Sequence, residues 1–162
     1  MNLVIVSGLS GSGKSIALHT LEDMGYYCID NLPVGLLDAL SQEFSGNNLG
    51  DIEKLAAGID ARNQPDQICH FPTFLASCHE RGIRCRTLFL QADTRTLIQR
   101  FSETRRKHPL SGSDTTLADA IEMERKLLTP IAGEADLFID TSRTNIHQLR
   151  DMVRECIDSS QT

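Results

Sequence analysis

The chain has 162 residues, of which 40% are hydrophobic and 23% are charged, and its formal net charge at pH 7 is −6. This length and balance predict one soluble globular domain, and no apolar run approaches the roughly 20 residues that a membrane-spanning helix needs. The acidic surface as a whole should repel nucleic acid, which leaves only a local basic patch to bind it.

Two features of the sequence indicate a cytoplasmic location. The N-terminus leads directly into the apolar run Asn2-Leu3-Val4-Ile5-Val6, which predicts a first strand rather than a signal peptide. The five cysteines are odd in number and lack C-x-x-C spacing. That usage is typical of reduced thiols rather than of a disulfide framework.

A complete G-x-x-x-x-G-K-[ST] phosphate-binding loop follows the first strand and precedes a helix predicted over residues 16–24. Glycines allow backbone angles that turn successive N–H groups toward phosphates, and the helix N-terminus adds the positive end of its dipole. We expect Lys14 to contact the β- and γ-phosphates and the Ser15 hydroxyl to bind Mg²⁺. A plain Gly/Ser-rich turn is the alternative, which the four fixed positions disfavour. The predicted triphosphate site is Gly8, Leu9, Ser10, Gly11, Ser12, Gly13, Lys14 and Ser15.

Strands and helices alternate along the rest of the chain. Further strands are predicted over 26–29, 54–59, 86–90 and 136–140, and further helices from Pro33, from Pro72 to Gly82, from a cap at Thr94, over 117–128 and over 145–157. This alternation predicts an α/β, three-layer P-loop NTPase/kinase-like fold, with a five-stranded parallel sheet and helices on both faces. We expect residues 1–162 to form a single P-loop domain.

Acidic residues end several of the predicted strands, at the edge where open α/β sheets bind their ligands. Asp60 closes an apolar strand, and we predict that it holds Mg²⁺ opposite Ser15. Asp30 is a candidate catalytic base or a contact to a second substrate. For both, capping of the following helix is the alternative. Asp93 and Asp140 are predicted to cap or turn.

A basic segment lies between the fourth strand and a polar loop. In P-loop kinases of small molecules, this place holds a mobile lid whose arginines close over the triphosphate. A solvated helix end, whose cations complement the helix dipole, is one alternative, and an RNA or protein contact is another. The segment contains Arg100, Arg105, Arg106, Lys107 and His108, and Arg105 and Arg106 are predicted to matter most.

Four blocks, taken in order, make the chain resemble the RapZ/YvcJ family of nucleotide-binding proteins. They are the phosphate loop, Asp30-Asn31-Leu32-Pro33, Asp60-Ala61-Arg62-Asn63 and Thr104-Arg105-Arg106-Lys107-His108-Pro109-Leu110. The resemblance implies ATP on the phosphate loop and GTP on Asp60, Ala61, Arg62 and Asn63. The alternative is that Asp60 serves the same nucleotide as the loop.

The resemblance also implies a role for a longer parent protein. Enterobacterial family members are RNase adapters that bind small regulatory RNAs and present one to RNase E, which links RNA decay to amino-sugar synthesis. Because their C-terminal domain is absent here, we expect a regulatory nucleotide-binding domain that binds RNA weakly and is at most a weak ATPase or GTPase. The alternative is a small-molecule kinase with Asp30 as base and Arg105 and Arg106 as lid.

Overall fold

A computed structural model describes residues 2–45, 52–62, 65–104, 107–112 and 114–159. Within these residues, five parallel strands form one sheet in the order β2-β3-β1-β4-β5. This arrangement confirms the predicted α/β fold with a five-stranded parallel sheet. The strands are β1 Asn2–Gly8, β2 Tyr27–Ile29, β3 Lys54–Ile59, β4 Arg84–Gln91 and β5 Leu137–Asp140.

Helices connect the strands and cover both faces of the sheet. None of the described helices combines the length and the apolar character that a membrane span needs. They are α1 Lys14–Asp23, α2 Leu37–Ser45 (after a 3₁₀ turn, Val34–Leu36), α3 Pro65–Cys69, α4 Phe71–Glu80, α5 Thr94–Thr104, α6 Leu117–Leu127, α7 Thr129–Ala132 and α8 Ile146–Ser159. The sequence analysis does not predict α3 and α7, because helices of five and four residues are too short to show an amphipathic period.

The central strand β1 explains why its sequence is a continuous apolar run. Alternate residues of a strand point to opposite faces of the sheet. Leu3 and Ile5 pack in the cluster that includes residues of α4 and α7, whereas Val4 and Val6 pack with α1 and α8. Because both faces are covered, neither set can be polar.

The strand register brings the ends of β1 and β3 side by side. Ser7 of β1 pairs with Ile59 of β3, and the Ser7 hydroxyl donates a hydrogen bond to the Ile59 carbonyl at 2.8 Å. The loop that follows β1 and the Asp60 carboxylate that follows β3 therefore emerge next to each other, at the carboxyl edge of the sheet.

Two of the strand-end acids have local structural roles, as predicted. The Asp93 carboxylate accepts a hydrogen bond from the Thr96 N–H at 2.8 Å, and the Asp140 carboxylate accepts one from the Ser142 N–H at 2.8 Å. Asp93 therefore caps α5, and the predicted cap at Thr94 is wrong by one residue because Thr94 is already helical.

Candidate functional site

The phosphate loop connects β1 to α1 through backbone conformations that favour glycine. Gly11 has φ 86° and Gly13 has φ 109°. A Cβ atom at Gly13 would also lie 2.5 Å from Cδ2 of Leu149 in α8, so a side chain there would require Leu149 to move. Since the first N–H groups of a helix have no intrahelical partner, the start of α1 at Lys14 presents donors to an anion.

Arg100 and Thr141 form hydrogen bonds with two backbone carbonyl groups of this loop. The Arg100 guanidinium donates to the Gly11 carbonyl at 2.8 Å and to the Thr141 hydroxyl at 3.0 Å. The Thr141 hydroxyl in turn donates to the Ser12 carbonyl at 2.6 Å. Arg100 thus supports the loop itself, a role that none of the three interpretations of the basic segment contains. Thr141 is not predicted from the sequence, where its only signal is a hydroxyl directly after β5.

Lys14 and the two predicted acids meet at the edge of the sheet. Lys14 Nζ lies 3.2 Å from Asp60 Oδ2 and 3.8 Å from Asp30 Oδ1. Asp30 approaches β3 closely because Gly58 has no side chain, since a Cβ there would lie 2.6 Å from Asp30 Oδ1. The structure therefore joins three sequence-predicted site residues, Lys14, Asp30 and Asp60, in one charged cluster.

Arg62 and Lys14 keep the Asp60 carboxylate charged. The Arg62 backbone N–H donates to Asp60 Oδ1 at 2.9 Å, and the guanidinium donates to both carboxylate oxygens. Burial favours the neutral acid, but the Lys14 charge and these hydrogen bonds outweigh it, so the pKa of Asp60 lies below its ordinary value. Since α3 begins only at Pro65, the carboxylate does not cap that helix.

Some predicted residues fall outside or away from this cluster. Asn63, Arg105 and Arg106 lie outside the described residues. Lys107 is exposed, whereas His108 is buried, with its ring 5.3 Å from that of Phe101. His108 is therefore neither a lid cation nor a solvated helix end, because it belongs to the core between α5 and α6.

A cavity of about 480 Å³ opens beside the phosphate loop, between α5 and the start of α8. Apolar walls with a few polar groups, as here, are typical of small-molecule sites. The part of the wall that follows β5, residues 144–149, is not predicted from the sequence, because it carries no motif. The cavity is lined by Gly11, Ser12, Gly13, Ile16, Arg100, Thr144, Asn145, Ile146, His147 and Leu149.

A second cavity, of about 780 Å³, shares no lining residue with the first. Ala61 and Arg62 contribute to its wall, whereas the neighbouring Asp60 faces Lys14. Within the Asp60-Ala61-Arg62 stretch, Asp60 therefore lies beside Lys14 of the phosphate loop, whereas Ala61 and Arg62 line the second cavity. The second cavity is lined by Ala61, Arg62, Pro65, Pro109, Leu110, Met123, Lys126 and Leu127.

The charge of Asp60 predicts a pH-dependent stability. Because its folded-state pKa lies below the ordinary value of 3.8, the ionised carboxylate stabilises the fold above that pH, and the stabilisation is lost as the pH falls through the folded-state pKa. We expect Asp60→Asn to lower the free energy of unfolding near pH 7 by about 1.5–3 kcal/mol, the scale of hydrogen bonds to a charged group. Urea denaturation should show this difference shrinking between about pH 5 and pH 3.

Asp151→Asn is the matched control, since Asp151 is exposed in the middle of α8, away from both ends of the helix dipole. Its free energy of unfolding should not differ from that of the unsubstituted chain at any of these pH values. A difference for Asp60→Asn that stays constant across the pH range would contradict the assignment of an ionised, paired Asp60.

Comparison with known proteins places the chain among longer relatives. Residues 1–161 match the model of the RapZ-like N-terminal domain. The chain is 56% identical over 155 residues to a nucleotide-binding protein of Methylococcus capsulatus, and 54% identical over 158 residues to one of Alkalilimnicola ehrlichii. These matches cover 96% and 98% of this chain but 52% and 55% of the relatives. The chain therefore spans about half the length of these curated relatives.

Solved kinase structures share the fold at low sequence identity. Shikimate kinase from Bacteroides thetaiotaomicron matches with a TM-score of 0.61 and 14% identity, over 99% of this chain and 98% of the kinase. A gluconokinase from Sinorhizobium meliloti matches with a TM-score of 0.59 and 13% identity, over 99% and 94%. These matches confirm the P-loop kinase-like fold, and the family model confirms the resemblance seen in the sequence. The chain belongs to the RapZ-like N-terminal domain family.

Proposed function

We propose that this domain binds a nucleoside triphosphate on residues 8–15 and serves as a regulatory domain, with weak hydrolysis at most. The observation that carries the proposal is the Lys14 ammonium, held 3.2 Å from Asp60 at the start of α1. It lies beside the N–H groups of the helix N-terminus, where an anion is favoured. The names of the relatives, nucleotide-binding proteins, support the same conclusion.

The charges around Lys14 would allow a phosphate to replace a carboxylate as its partner. In the structure, Lys14 pairs with Asp60 and Asp30. When phosphates bind, the ammonium turns to the β- and γ-oxygens, and Arg62 keeps the Asp60 carboxylate paired. The lysine therefore does not pass through an unpaired state, which would be costly at its low exposure.

Mg²⁺ fits the oxygen donors that remain. Ser15 is exposed in the first turn of α1, and its hydroxyl makes no hydrogen bond with any other described residue. Asp60 supplies an ionised carboxylate, and hydroxyl and carboxylate oxygens are ligands that Mg²⁺ accepts. Ser15 and Asp60 would hold the ion, which would neutralise charge on the phosphate oxygens.

The cavity beside Gly11 and Gly13 is the proposed place of the nucleoside. Its volume of about 480 Å³ lies within the range of small-molecule sites. Ile16 and Ile146 provide apolar surface for a base, while Arg100 and Asn145 provide polar groups. These lining residues are compatible with both ATP and GTP.

The second cavity is the proposed place of a second anionic ligand. Lys126 supplies positive charge to its wall, Arg62 adds a guanidinium that is paired with Asp60, and Leu110 and Met123 supply apolar surface. GTP, which the family resemblance assigns to Ala61, Arg62 and Asn63 as well as Asp60, is one occupant. We assign Asp60 itself to the nucleotide on the phosphate loop, because it faces Lys14.

A kinase that phosphorylates a small molecule is the second candidate function. It is favoured by the Asp30 carboxylate, whose side chain is 43% exposed and lies 3.8 Å from Lys14 Nζ. Such a carboxylate is accessible to an acceptor hydroxyl as a general base, and Arg105 and Arg106 would then form the lid. Incubation with radiolabelled ATP and a metabolite extract separates the two functions. We expect no labelled small molecule above background, and a labelled product that disappears in Asp30→Asn would overturn the regulatory assignment.

In longer relatives, we propose that nucleotide binding regulates an adapter that presents small regulatory RNA to RNase E and so controls amino-sugar synthesis. Family membership supports this extension. By itself this chain, with a net charge of −6, should bind RNA weakly and lose affinity as salt rises. A gel shift at physiological salt checks this, and tight, sequence-selective binding by residues 1–162 would contradict it.

Removal of the Lys14 charge tests the main proposal. A ligand present at about a hundredfold excess over its Kd stabilises the folded state by about 2.7 kcal/mol. For a domain of this size, that corresponds to a rise in Tm of about 5–10 °C. Lys14→Ala should abolish most of the rise that ATP gives in a thermal-shift assay. Arg154→Ala, on the exposed side of α8, is the charge-matched control and should keep it.

The same assay tests the magnesium site. Asp60→Asn should keep the rise that ATP gives without metal, and should lose the further rise that Mg²⁺ adds, because the variant lacks the anionic oxygen. If Asp60→Asn retains the full Mg²⁺ increment, Asp60 is not a ligand and Asp30 is the next candidate. If Lys14→Ala retains the full shift with ATP, the loop is not the nucleotide site.

A further inference from the structure

A buried carboxylate forms hydrogen bonds with the phosphate loop at Ser10, a residue to which neither Arg100 nor Thr141 forms a hydrogen bond. Glu124 of α6 is 0% exposed. The Ser10 N–H donates to Glu124 Oε1 at 2.8 Å, and the Ser10 hydroxyl donates to Glu124 Oε2 at 2.6 Å. A carboxylate in the interior is costly unless it is fully paired, so its position against the loop requires an explanation.

His108 completes the set of donors around Glu124. Its Nε2 lies 3.1 Å from Glu124 Oε1, and its Nδ1 accepts a hydrogen bond from the Leu110 N–H at 3.0 Å. Since a backbone N–H can only donate, Nδ1 carries no hydrogen, and Nε2–H is the donor to Glu124. The Ser111 hydroxyl donates a hydrogen bond to the His108 carbonyl at 2.7 Å, which also holds the backbone of residues 108–111.

The hydrogen bonds of Glu124 and those of Arg100 and Thr141 involve different groups of the loop. Arg100 and Thr141 bind the carbonyl oxygens of Gly11 and Ser12, while Glu124 binds the N–H and hydroxyl of Ser10. Three consecutive residues of the loop are thereby held by side chains from other elements. A loop fixed in this way loses less conformational entropy when phosphates bind.

We propose that Glu124 is a positioning residue for nucleotide binding, held in place by His108. It fixes Ser10 so that the phosphate loop keeps its binding conformation without a ligand. Through His108 it also joins the loop to residues 107–111, at the end of the basic segment. The inference rests on the proposed function only in that the loop is the nucleotide site.

Two readouts test the proposal: the Kd of a fluorescent ATP analogue, and hydrogen exchange of a peptide covering residues 7–15 in the nucleotide-free protein. Glu124→Ala should raise the Kd about tenfold, which corresponds to about 1.4 kcal/mol, and should accelerate exchange in the loop. Glu124→Gln should recover most of the affinity, because its carbonyl oxygen still accepts from the Ser10 N–H. Ser10→Ala should weaken binding in the unsubstituted chain and have no further effect in Glu124→Ala.

Glu122→Ala is the matched control on the same helix, since Glu122 is exposed and its contacts are to Thr94 and Arg125. It should leave both readouts unchanged. Unchanged affinity and loop exchange in folded Glu124→Ala would overturn the proposal, and so would a raised Kd without faster loop exchange. If Glu124→Ala does not fold, the same readouts for Ser10→Ala decide. Failure of the proposed function appears separately, as unchanged ATP binding by Lys14→Ala.

Discussion

Parallel pairing of β1 between β3 and β4 is the constraint on which the site depends. The pairing of Ser7 with Ile59 places the end of β1 level with the end of β3. The phosphate loop then turns directly from β1 into α1, so that Lys14 reaches Asp60 at 3.2 Å. A change of register by one residue would turn the buried residues of β1 to the opposite face, so the core fixes the distance between these charges.

The site combines a loop that is held by hydrogen bonds with a lysine that is paired with carboxylates. Hydrogen bonds from Arg100, Thr141 and Ser10 connect the loop to α5, to the end of β5 and to α6. Lys14, by contrast, forms its ion pairs within the described part of the chain with two carboxylates, Asp30 and Asp60. A loop fixed before binding reduces the entropic cost of association, while the paired lysine avoids an unbalanced charge. The overall charge of −6 is thus compatible with a local anion site.

The kinase-like fold leaves the chemistry to particular side chains rather than deciding it. Two cavities lie near the carboxyl edge of the sheet, one beside the phosphate loop and one with Arg62 in its wall. This arrangement suits either a nucleotide and its acceptor or a nucleotide and a regulatory second ligand. The exposed Asp30 is the residue whose role differs between the two, because only a kinase needs it as a base.

The sequence by itself determined the features that depend on neighbouring residues: the phosphate loop with its glycines, the apolar run of β1, the alternation that makes the sheet parallel, and Asp60 at the end of β3. Asp93 was predicted to cap or turn for the same reason, since its partner is three residues away. Only the tertiary structure decided which distant residues support the loop. Glu124 is 114 residues from Ser10, and His108 looked like part of a basic surface segment until packing against Phe101 placed it in the core. Nothing in the local sequence distinguishes such residues, because burial and hydrogen bonding arise only when separate elements meet.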